Sequence, residues 1–217
     1  MQENRLKRRK KNLLRKREGA VEAVILCSVL LLCLVGITVY SLQLRVAKNE
    51  KYMVDNAVIA AATSTLVTDL YQYATTEENV LDCTGDAYSN GLYEQPLEAT
   101  KEACKVAYGR FLDSLSTALG LDNSLMPISA ENYLKSVLIK EFTVYNVVEE
   151  GIYSCTYTSS GYQDGFFCGN DVTVTAKGMD MEVIQTSVYV SMEFTVEVFG
   201  KQYQIPVQEY VYSYRQE

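Results

Sequence analysis

The sequence predicts an α+β fold behind a single N-terminal transmembrane helix, which continues into a stalk helix. Three observations point to it. Residues 23–44 form an uncharged run of 22 residues. Apolar residues then recur every three or four positions through two later stretches. Towards the C-terminus that period drops to two, the signature of strands. The expected organisation is a basic cytoplasmic leader over 1–19, a membrane helix over 20–44, an extracellular stalk over 45–75 and an extracellular α+β domain over 76–217.

The leader is set by charge. The 217 residues carry a net charge of −7, but nine of the 20 basic side chains lie within the first 17 positions. From Leu44 onward, eleven basic residues face 24 acidic ones, a net of −13. Such a split suits a basic tail beside a membrane or a nucleic acid, followed by an acidic domain. The uncharged run decides for the membrane. At 1.5 Å per residue it reaches ~33 Å, enough for a ~30 Å hydrocarbon core. Cations beside a span stay in the cytoplasm, so the acidic part is expected outside. Tyr40 suits the outer interface. A cleaved secretory signal is the closest competitor, with Val39-Tyr40-Ser41 as its cut site, but its apolar region needs only ~7–15 residues. Anchoring is the expectation.

The stalk follows from an absence. No Gly or Pro interrupts residues 37–84, and Val54, Val58, Ala61, Ala62, Leu66, Leu70 and Tyr73 mark one helical face, giving a helix to about Tyr73. Turn signals at Gly85, Asn90-Gly91 and Pro96 come next. Residues 97–119 read as a helix through Cys104, Ala107, Tyr108, Phe111, Leu115 and Leu119, closed by Gly120. Ser129 is expected to cap a shorter helix to about Lys140, with Glu131 against its dipole.

Strands are expected over 142–148, 152–157, 172–176 and 184–199. The last carries Val188, Val190, Met192, Phe194, Val196 and Val198 on one face. Gly200-Lys201 then reads as a type II′ turn. That register pairs Val198 with Tyr203, Val196 with Ile205, Phe194 with Val207 and Val190 with Val211. Glu209 opposite Met192 is the misfit. Pro206 argues for an edge strand. The sheet is expected to be antiparallel, backed by the long helix.

The chemistry is sparse. With no histidine in the chain, the commonest general base, the Ser-His and Cys-His pairs and most zinc sites are excluded. No phosphate-cradling glycine motif occurs. Asp82, Asp86 and Asn90 recur in a loop where calcium is conceivable, but a closing Glu at EF-hand spacing is missing, so a polar turn is expected. No catalytic residue, metal, cofactor or small-molecule substrate is expected, and the chain is not read as an enzyme. Cys27 and Cys33 fall in the span. Cys83, Cys104, Cys155 and Cys168 fall beyond it, and four cysteines allow three pairings. The loop TYTSSGYQDGFF between Cys155 and Cys168 reads as a stapled hairpin end, which leaves Cys83 with Cys104. Each such bridge would be worth ~3 kcal/mol, and four buried thiols are the alternative. Among 17 tyrosines, Tyr210, Tyr212 and Tyr214 share one face of the last strand. They are either a binding surface or the floor of another layer.

The residues KREG-AVEAVILCSVLLLCLVGI resemble the start of type IV pilin-like proteins, and more closely the TadE-like proteins of tight-adherence pilus systems. Gly19, Val21, Glu22 and Ala23 match the family's residue types, and VDNAVIAAATSTLVTDLYQYA resembles the small-residue helix that follows its span. The likeness covers about residues 15–74. It implies a pilus or secretion-apparatus subunit or assembly factor, with Gly19 as a leader cleavage point and Glu22 as the carboxylate that pairs with a neighbouring subunit's amine. Glu22 stands three residues after Gly19 where the family has five, so a retained leader stays open. Glu22 can alternatively sit at the bilayer edge. The partners implied are the bilayer and other pilin-like or pilus-assembly subunits, with no nucleic acid. An anchored binding or sensor module and an anchored cell-envelope hydrolase are the rival readings.

Overall fold

The computed structural model describes residues 2–83, 96–129, 133–163, 165–169, 175 and 181–213, the first twenty by backbone alone. Helix α1 spans Gln2–Ser64. The chain divides into two units, Met1–Ala47 and Lys48–Glu217.

In the first unit, the apolar side chains from Val21 to Leu44 project from the helix with none of the described residues packed on them; Leu32 is 70% exposed. Two hydroxyls within the run turn inward to their own backbone: Ser28 Oγ donates to the Val24 carbonyl and Thr38 Oγ1 to the Val35 carbonyl, each at 2.8 Å. Such back-bonding leaves neither hydroxyl proton in need of water.

In the second unit, α1 ends at Ser64, short of Tyr73. Val54, Ala57, Val58, Ala61 and Ala62 form its buried stripe, whereas Leu70 and Tyr73 are exposed. The helix closes in a tight turn, Thr65 N–H to the Ala62 carbonyl at 3.1 Å. A short clasp follows. Asp69 N–H donates to the Val80 carbonyl and Asp82 N–H to the Val67 carbonyl, and between them lies α2 (Leu70–Thr76). Asp69 caps α2, its Oδ1 accepting from Gln72 N–H at 2.9 Å.

Helix α3 spans Pro96–Leu119 and buries Ala99, Thr100, Ala103, Cys104, Ala107, Phe111, Leu115 and Leu119. Gly120, at φ 63°, ends it as the sequence suggests, and the Leu121 N–H returns to the Ser116 carbonyl at 2.9 Å.

The strands are β1 (Leu134–Val148), β2 (Gly151–Thr158), β3 (Gly161–Tyr162), β4 (Phe166–Gly169), β5 (Ser187–Val198) and β6 (Lys201–Tyr212). They form one antiparallel sheet ordered β3-β2-β1-β5-β6, with β4 also on the outer side of β2. Beginning at Leu134, β1 replaces the short helix expected to run to Lys140. It contains two bulges, between Leu134 and Ser136 and between Ile139 and Glu141. Each inserts one residue, so the inward positions fall at 134, 137, 139, 142 and 144. Those two steps of three break the alternation that would have marked a strand. The strand expected over 172–176 lies outside the described residues except for Thr175, which bridges to Glu182. Ile184 is exposed ahead of β5.

The last hairpin is real, but its two-residue turn lies one residue earlier than expected. Val198 pairs with Lys201, Val196 with Tyr203, Phe194 with Ile205, Met192 with Val207 and Val190 with Glu209. The turn residues are Phe199 and Gly200, both at positive φ (50° and 75°), a type I′ geometry in place of II′. A shift of two preserves the faces, so Glu209 still lies among apolar neighbours. Its charged surroundings come from α1: Lys51 and Asp55, joined at 2.7 Å, are its electrostatic neighbours.

Residues paired across strands share a face. The principal core is the face bearing Phe142, Val144, Val188, Val190, Met192, Phe194 and Val196, all buried, and Phe111 and Leu115 of α3 and the Val54–Ala62 stripe of α1 are buried as well. Phe142 stacks near Phe111 and Tyr108, at 5.3 and 5.4 Å between centroids. On the reverse face Tyr145, Val183 and Tyr189 form a smaller cluster, flanked by Val147, Ile152 and Tyr210.

Candidate functional site

Glu22 stands immediately before the uncharged run, on the exposed surface of α1. Helical spacing aligns it with Ile25, Leu26, Val29 and Cys33. The most apolar eighteen-residue window of this helix has a mean hydropathy of 2.7, and none of it is buried in protein. Gly19 lies within the same helix.

The tyrosines of β6 divide. Tyr210 is half-buried against the Tyr145–Val183–Tyr189 cluster, so it serves as the floor of a second small layer. Tyr212, 40% exposed, stands 6.2 Å from the Tyr210 ring. Tyr214 lies outside the described residues. The backbone adds a second property. Ser213 N–H donates to the Thr186 carbonyl, so odd-numbered residues of β6 bond to β5 and even-numbered ones turn their polar groups to the open edge. Pro206 is among the even set and removes no bond from the ladder.

No disulfide joins any of the six cysteines. Cys155 pairs with Val144 on the principal-core face, whereas Cys168 pairs with Ile152 on the reverse face, so the expected Cys155–Cys168 bridge points to opposite sides of the sheet. The neighbour of Cys155 is Cys104, whose thiol donates to the Cys155 carbonyl at 3.5 Å.

Asp82 is fully engaged by Arg110, Oδ2 to Nη2 at 2.6 Å, with its side chain wholly buried. Asp86 and Asn90, the rest of that loop, lie outside the described residues. Among the described residues no cluster of three or more His, Cys, Asp or Glu has metal-binding geometry. A cleft of about 370 Å³ is walled by Glu77, Glu78, Glu149, Gln185 and Ser213. Glu78 is held there by structure: Oε1 accepts from Glu149 N–H at 2.9 Å and Oε2 from Gln72 Nε2 at 3.2 Å.

Two arrangements escaped the sequence reading. Asn146 is a buried junction, its Oδ1 accepting from Leu81 N–H at 3.0 Å and its Nδ2 donating to Thr100 Oγ1 at 3.1 Å. The signal was present as a polar residue continuing the inward set Phe142, Val144. The second is the group formed by Tyr108, Tyr157 and Tyr162. Tyr108 and Tyr157 lie 3.9 Å apart between centroids, and burial pushes the Tyr162 phenol up to about 12.

No family model, curated protein or solved structure matches this chain.

Proposed function

We propose that the chain is a single-pass membrane protein with a cytoplasmic leader and an extracellular α+β domain, acting as a pilin-like subunit or assembly factor of a bacterial surface pilus or secretion apparatus. The observation that carries the reading is the apolar segment of α1, with mean hydropathy 2.7, no packing partner among the described residues and nine cations before it. Lipid is the solvent that such a surface fits, and the cations set its direction. The resemblance of residues 15–74 to TadE-like proteins supplies the pilus role. Within it Glu22 pairs with a neighbouring subunit rather than with lipid headgroups.

The experiment has two arms. Protease added to intact cells should digest the C-terminal domain and spare the leader, with the chain staying in the membrane fraction through alkaline extraction. Release into the soluble fraction would overturn the membrane reading. Native-state crosslinking should yield ladders of subunits, and Glu22→Leu should shorten them severalfold while leaving insertion intact. Unchanged ladders would remove the pairing role, and a crosslink to one unrelated partner would favour the anchored binding module.

A further inference from the structure

We propose that Cys104 and Cys155 are joined by a disulfide when the domain folds in an oxidising environment, tying α3 to β2. The assignment rests on four observations. The row of α3 facing the sheet is made of small residues, Ala99, Ala103 and Ala107, all buried, which lets the helix backbone lie close to the strands. The Cys104 thiol lies 3.5 Å from the Cys155 carbonyl, and both cysteines are essentially without exposed surface. The Cys155 side chain is on the face that α3 covers, while Cys168 is on the other. Cys83 adjoins Asp82, which bonds to Arg110, six residues beyond Cys104 and so ~9 Å along the helix. Among the six pairs that four cysteines can form, Cys104 and Cys155 are neighbours already in contact.

The timing follows from the thiol chemistry. In the closed domain the hydrogen bond with Cys155, then burial, holds the Cys104 thiol far above the usual thiol range, so its nucleophilic thiolate is scarce. The bond therefore forms while α3 is still settling on β2. The oxidant is a disulfide, either an oxidised thiol–disulfide oxidoreductase or a small-molecule disulfide. One protein thiolate attacks a sulfur of that disulfide, giving a mixed disulfide and releasing one thiolate. The second protein thiolate attacks the mixed disulfide, forming the Cys104–Cys155 bond and releasing the other. Two protein thiols lose two electrons and two protons, and the oxidant leaves as two thiols.

The test uses the full chain in detergent, reduced, opened in urea and diluted into a buffer of oxidised and reduced glutathione. Acid quenching, alkylation under denaturing conditions and non-reducing peptide mapping then report the links. The expected result is one dominant linked pair containing Cys104 and Cys155, with Cys83 and Cys168 alkylated. The same link should persist in the Cys83→Ala/Cys168→Ala variant. Reduction should lower the thermal midpoint of both proteins, and should leave Cys104→Ala/Cys155→Ala unmoved. Alkylation of all six cysteines in the refolded wild type, or a dominant link between any other pair, would overturn the proposal. If the Cys104→Ala/Cys155→Ala variant does not fold, the mapping of the other two proteins decides.

Discussion

A carboxylate with no exposed surface, such as that of Asp82, needs a partner, because desolvating it alone costs several kcal/mol. Arg110 supplies that partner from α3 at 2.6 Å while keeping 28% of its own side chain in solvent. Arg110→Met should therefore lower unfolding stability by about 2–3 kcal/mol, measured by urea titration, since it removes the cation that faces the buried charge. Wild-type stability in that variant would show that Asp82 is protonated or solvated when folded. Asn146 presents the neutral version of the same problem. Asn146→Leu leaves the Leu81 N–H and the Thr100 hydroxyl unpaired and should cost about 2–4 kcal/mol despite the added apolar bulk. At Gly151, φ is 148° and a Cβ would collide with the Cys168 carbonyl of β4. Gly151→Ala should consequently strip β4 from β2, seen as accelerated amide exchange over residues 166–169.

The elements were legible where one period runs unbroken. Helix α3 has a continuous apolar stripe and a terminal glycine, and both ends were readable. The last hairpin was readable as a hairpin, but its turn was not. Gly200 fits either the first position of a II′ turn or the second of an I′ turn, and the face pattern is identical in both. The structure takes the second, which obliges Phe199 to accept φ 50°. Phe199 is largely exposed, so its ring contributes little there. Phe199→Asn, a residue at ease in that conformation, should raise stability by about 0.5–1 kcal/mol, read from the thermal midpoint. A loss would mean that the ring has contacts outweighing the backbone strain. The first half of β1 was illegible because its bulges turn a period of two into alternating steps of three and two. The cysteine pairing was illegible for a related reason: sequence proximity favoured Cys168, and only strand parity places it on the reverse face. Asn146 was visible as a polar intruder, but its partners come from 65 and 46 residues away.

At the scale of the molecule, the acidic composition concentrates one response to pH. Glu50 and Glu209 are both pushed above the ordinary carboxylate range, chiefly by burial, and Asp55 adds to the shift at Glu209 while Lys51 opposes it. The folded state then holds these protons more tightly than the unfolded state does. Their contribution to stability should be greatest below ~4.5, the ordinary glutamate value, and decline as pH rises from there through the raised folded values. Glu209→Gln should flatten that decline in urea midpoints taken across the window, whereas an unaltered slope would locate the effect elsewhere. The long apolar helix was fully legible, being a matter of composition and length. A pilus role for Glu22 depends on other chains and is left to the crosslinking ladders. Pro206 carries a consequence for proteins crowded on a surface. By depriving the outer rim of the sheet of a donor halfway along its 12 residues, it spoils the template on which foreign strands would accrete. Pro206→Val should keep the native fold yet yield dye-binding fibrils on prolonged incubation, a hazard that the imino acid suppresses at no cost to the ladder within.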